Sequence, residues 1–98
     1  MTTIATATSE MNPESGQKHR SGPDFGLSSN SGNNIMVSTV NGVTFDIMED
    51  VSGGKDPTVA GSVTNGATLP GNCLRMGANY YIANPSGAKS SFTVTLTQ

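Results

Sequence analysis

From Ile35 to the C-terminus the chain is cut into short apolar runs closed by turn-forming residues, and no other feature constrains its fold as much. IMVSTV is followed by Asn41-Gly42, VTFDIM by the loop EDVSGGKDP, TVAGSVT by Asn65-Gly66, and ATL by Pro70-Gly71. Such runs are too short for a helix of normal length, whereas strands of about four to eight residues bounded by Gly, Pro, Asn and Asp have this rhythm. Asn41-Gly42 between two β-rich hexamers predicts a hairpin, because both central residues of a type I′ turn take positive φ. Asn65-Gly66 predicts a second turn. NCLRM reads as a further extended segment, broken at Gly77-Ala78 before Tyr80–Ala83. In SSFTVTLT the period is two, so Phe92, Val94 and Leu96 fall on one face and Thr93, Thr95 and Thr97 on the other. The first face is expected in a core, the second against solvent or a partner.

Residues 1–34 are a different material. Their apolar residues are sparse, Pro13 and Pro23 interrupt them, and SSNSGNN is nearly pure turn composition. The expected organisation is an extended polar N-terminal arm over residues 1–34 and a β domain over residues 35–98. The fold class is all-β, a small antiparallel sandwich or barrel of about six or seven short strands.

Composition narrows the function by elimination. The chain has 98 residues, enough for one domain, with 34% hydrophobic and 12% charged residues. Ser, Thr, Gly and Asn supply the rest, which suits strands and turns with uncharged polar faces. A net charge of -2 and a pI near 5.0 give no field for a phosphate backbone, so no nucleic-acid partner is expected. The start MTTIATATSEMN has neither the basic nor the apolar region of a signal peptide, and no run approaches the length of a membrane span. Synthesis in a cytoplasm, with no membrane partner, is expected. The single Cys73 excludes an intramolecular disulfide.

The reactive side chains read most simply as bystanders. His19, the sole histidine, lies between Lys18 and Arg20 with no rigid element to hold it beside a nucleophile, so a solvated basic spot is expected. Cys73 has no base implied nearby and reads as a small hydrophobe. GGKDPT lacks a phosphate loop's requirements, since Glu49 and Asp56 stand where Gly and Ser or Thr are needed. Asp46, Glu49, Asp50 and Asp56 have oxygens for a hard cation, but their spacing fits no EF-hand loop, and a solvated acidic loop is expected. Neither enzyme activity nor a cofactor or metal site follows from these residues.

Two resemblances complete the reading. YYIANPSGAKSSFTVTLTQ, Tyr80 to Gln98, with its ANPSG corner and alternating last strand, resembles the final two-strand hairpin of immunoglobulin-like domains. It departs from them in lacking the Cys of the penultimate strand, with Ile82 at a buried position, and any Trp. The whole chain resembles, in type and composition, the small head decoration or cement proteins of bacteriophages, which pair a flexible N-terminal arm with a compact β-rich body. That resemblance implies a non-enzymatic virion protein on the capsid surface. Its partners would be the major capsid protein or another virion protein, and its own copies in a homo-oligomer, since so small a core lacks a disulfide or metal to support it. Ile4, Met11, Lys18, Arg20, Phe25 and Leu27 are the expected partner-binding residues of the arm. The alternative is an immunoglobulin-like module that attaches to host-surface glycans.

Overall fold

The computed structural model describes residues 3–7, 20–27, 29–40, 44–86 and 93–98. Eight strands run in the order β1 (Thr3–Ala7), β2 (Arg20–Phe25), β3 (Ile35–Val40), β4 (Thr44–Glu49), β5 (Thr58–Val63), β6 (Thr68–Leu69), β7 (Tyr80–Ser86) and β8 (Thr93–Thr97). They form two four-stranded sheets, ordered β1-β8-β3-β6 and β2-β7-β4-β5, and every neighbouring pair is antiparallel.

This order has a simple origin. A chain folded into one long hairpin with β4 and β5 at its tip sets β3 against β6, β2 against β7 and β1 against β8. Wrapping that ribbon around a core divides it into two sheets, sealed where β8 meets β3 and β7 meets β4. The result is the strand order of an eight-stranded jelly roll.

Alternation supplies the core. β3 buries Ile35 and Val37 while Met36 and Ser38 stay exposed, and β8 buries Val94 and Leu96 between half-buried threonines. From the other sheet Phe45 and Ile47 of β4 and Tyr80 and Ile82 of β7 face them, and Leu74 plugs the core from a loop. Phe92, expected on the same face as Val94, lies outside the described residues.

Four expectations change. Asn41-Gly42 does not join a paired hairpin, because β3 and β4 lie in opposite sheets; residues 41–43 themselves are outside the described residues. The dipeptide signals a reversal, but the buried faces of both strands decide the partners, and they meet across the core. For the same reason Tyr80 to Gln98 is not a two-strand hairpin of the immunoglobulin kind: β7 pairs with β2 and β4, β8 with β1 and β3. NCLRM is not extended. Cys73 N–H turns back to the Pro70 carbonyl at 3.0 Å, which drops Leu74 into the core.

The fourth change concerns the arm. β1 and β2 belong to the two sheets, and Ala5 and Leu27 are buried in the common core, so the described parts of residues 1–34 are integral to the β body. Each strand ends a sheet, and an edge strand needs few inward apolar residues and tolerates a proline such as Pro23. With β1 and β2 the described residues hold eight strands, against the expected about six or seven. Beyond β2 the chain is stapled down: Asn30 Nδ2 donates to the carbonyls of Gly71 (3.0 Å) and Leu74 (3.3 Å), while its Oδ1 accepts from Gly32 N–H (2.9 Å) and Gln98 Nε2 (2.8 Å). Gly71 is required there, since a Cβ would stand 2.5 Å from the carbonyl oxygens of both Gly32 and Asn33.

Candidate functional site

The outer face of the β1-β8-β3-β6 sheet is assembled by register. Thr3 stands opposite Thr97, Thr97 opposite Met36, and Met36 opposite Thr68, making one row across all four strands. Thr6, Thr95 and Ser38 make a second row, and Thr93 faces Val40 in a third. Met36 and Val40 are 40% and 55% exposed, and Thr3, Thr6, Ser38 and Thr68 are exposed beside them. No Asp, Glu, Lys or Arg occurs in any of these four strands. Each threonine presents a methyl and a hydroxyl, so the face can be covered by another protein without stripping water from an ion.

Charge lies elsewhere. β2 carries Arg20 and Asp24, β4 carries Asp46 and Glu49, and the loops at one end of their sheet carry Asp50, Lys55, Asp56 and Arg75. Several of these groups do local structural work. Asp46 Oδ1 accepts Ser62 N–H at 2.9 Å, where β5 bulges and Ser62 takes a φ of 52°. Asp56 accepts the Tyr81 hydroxyl at 2.5 Å and Val51 N–H at 3.1 Å. Glu49 pairs with Arg75 at 2.8 Å, and this hydrogen bond, then the charge of Glu49, raises the Arg75 pKa further. The buried Tyr80 hydroxyl accepts Arg75 N–H at 2.8 Å. The acidic residues are thus dispersed among separate partners, and among the described residues no three His, Cys, Asp or Glu side chains gather as a metal site.

Of the residues expected to bind a partner, Ile4, Phe25 and Leu27 pack on the core. Leu27 is buried, Ile4 packs partly buried against the core, and the Phe25 ring lies 6.0 Å from that of Tyr80, tilted by 38°. These apolar groups serve the interior, because β1 and β2 are strands of the sandwich. Ile4 and Leu27 also line a cleft of about 260 Å³ with Thr3, Gly26, Ser29, Ser31 and Gln98. In β2 the backbone of Arg20 stands opposite Ala83 of β7. Met11, Lys18 and His19 lie outside the described residues. Cys73 is half-buried, and burial pushes its thiol pKa up, away from the range of a nucleophile.

No family model, curated protein or solved structure matches the chain. The class that fold and site define is architectural, an eight-stranded β sandwich of jelly-roll order with all described strand charges on one sheet and an uncharged, threonine-rich face on the other. The sequence signalled one strip of that face, Thr93, Thr95 and Thr97. Strands β1, β3 and β6 join it only through register, which a single sequence does not display.

Proposed function

We propose that this protein is a non-enzymatic structural component of a virus particle, of the bacteriophage head decoration type, that binds a repeated capsid surface and stabilises it. The observation that carries the reading is the charge-free outer face of the β1-β8-β3-β6 sheet. A sheet face facing only solvent commonly carries charged side chains, and its absence here fits a surface that is covered when the protein is at work. Jelly rolls serve in viral capsids but also in lectins and other proteins, so the fold agrees with this reading without carrying it. Binding only to the assembled lattice favours the assembled state by mass action, and many copies multiply a modest contact energy. The partner would be the major capsid protein or another virion protein.

Ser38→Lys tests the reading at the centre of the face, where the side chain is exposed and no fold contact is lost. Particles assembled without the protein should bind the variant at least about tenfold more weakly than the wild type, because a lysine would be desolvated without a partner. Decorated particles should also rupture at a higher temperature than bare ones. Equal rupture temperatures, or undiminished binding of Ser38→Lys, would overturn the proposal.

A further inference from the structure

The four outer strands of the two sheets are not treated alike. β2 has Pro23 and Asp24 in its sequence, and proline and charge both discourage a further strand. β5 is bulged between its pairings with Phe45 and Ile47, and the Asp46 carboxylate occupies Ser62 N–H. β6 is two residues long, and past it the free side of β3 is closed from a turn: Asn65 Oδ1 takes Thr39 N–H at 2.8 Å and Gly66 N–H reaches the Val37 carbonyl at 2.9 Å. These are the devices by which natural sheets block edge pairing.

Among the described residues, β1, with the sequence TIATA, has no charge, no proline and no covering turn, and its one bulge leaves part of the edge regular. Its one irregularity falls between Thr3 and Ala5, leaving Ala5–Ala7 in regular register with Leu96–Val94. Among the described strands it ends its sheet, with β8 as its one paired neighbour.

We propose that β1 pairs antiparallel with β1 of a second copy of this chain, joining two β1-β8-β3-β6 sheets into one sheet of eight strands. The regular part of the strand, Ala5–Ala7, suits a two-fold axis at Thr6: Ala5 then faces Ala7 of the second copy and Thr6 faces its own counterpart, with no like charges opposed. Area gives a second argument, which rests on the docking role proposed for the outer face. Four strands about 4.8 Å apart and five residues long at about 3.4 Å each span only about 320 Å². A standard protein interface covers about 800 Å² per partner. Edge pairing doubles the uncharged face and brings two docking surfaces to one particle lattice.

Sedimentation velocity over about a hundredfold concentration range, with amide hydrogen exchange on the same full-length samples, tests the pairing without any capsid. The wild type should pass from monomer to dimer as concentration rises, with exchange slowing at Thr3–Ala7 and not at Thr58–Val63. Thr6→Lys puts a charge on the exposed side of β1 and should raise the dimer dissociation constant at least about tenfold. Ser38→Lys should leave it unchanged, since the two lysines of a dimer would be about 24 Å apart, beyond the screening length of roughly 8 Å at physiological salt. A wild type that is monomeric throughout, a Thr6→Lys variant that dimerises as the wild type does, or protection that grows at β5 instead would overturn the pairing. An intact dimer that fails to bind particles supports the pairing and refutes the capsid-docking reading.

Discussion

Deleting residues 1–34 separates the integrated sandwich from a body with a dispensable arm. The deletion removes β1 and β2, and with them Ala5 and Leu27 from the core and the packing of Ile4 and Phe25 against it. Restoring those apolar groups to water forfeits about 5 kcal/mol, at about 2 kcal/mol for a buried leucine and less for the half-buried groups. Two ladders go as well, β1 on β8 and β2 on β7, at about 1 kcal/mol net for each hydrogen bond. Asn30 leaves the carbonyls of Gly71 and Leu74 without its amide. A domain has only about 5–15 kcal/mol in total, so the truncated chain should lie at or below the threshold of folding. Far-ultraviolet circular dichroism with urea titration is the assay. The milder Leu27→Ala should fold but lower the stability by about 2–4 kcal/mol. A truncated chain that unfolds cooperatively near the full-length midpoint would refute the placement of β1 and β2 and restore the arm as a separate element.

Two further outcomes can be checked on the same material. Val94→Asp should lower stability by about 3–5 kcal/mol, since it sets an unpaired carboxylate in the fully buried seam between the sheets, whereas Thr95→Asp, on the opposite face, should cost less than about 1 kcal/mol; similar urea midpoints would contradict the assignment of faces. Burial holds the Cys73 pKa above its ordinary 9.0, so as pH rises past that value the unfolded thiol ionises first and the fold loses stability between the unfolded and folded pKa. A Cys73→Ser variant should lack this component of the alkaline loss, and native Cys73 should be alkylated more slowly than in urea.

What the sequence displayed was local. The period of two in TVTLT predicted the buried side of β8, and Val94 and Leu96 are fully buried. Turn chemistry was equally legible: Asn65-Gly66 makes the expected turn, with Gly66 at a φ of 82° and Ala67 N–H on the Thr64 carbonyl. Pairing was not legible, because a jelly roll pairs strands far apart in sequence, such as Thr6 with Thr95. A hairpin signal at Asn41-Gly42 describes the turn alone and says nothing about whether the flanking strands lie side by side or across a core. The edge strands were hidden for a related reason. TIATA and RSGPDF look like linker because strands at the rim of a sheet are asked for so little apolar surface.

The same nonlocality explains why the candidate face escaped a linear reading. A threonine on one strand is an ordinary exposed residue, and the chain has many. Thr3, Thr97, Met36 and Thr68 become one surface only because four strands from distant parts of the chain are set in register, and the exclusion of charge becomes visible only when those strands are counted together. Solubility alone places no demand on which sheet carries the charges, since scattering them over both would serve as well. Among the described residues, their confinement to the β2-β7-β4-β5 sheet and its loops distinguishes a charged side from a side that can be covered at little desolvation penalty. The β1 edge borders that second side, so the proposed strand pairing would enlarge the coverable face without displacing any of the charges of the described strands.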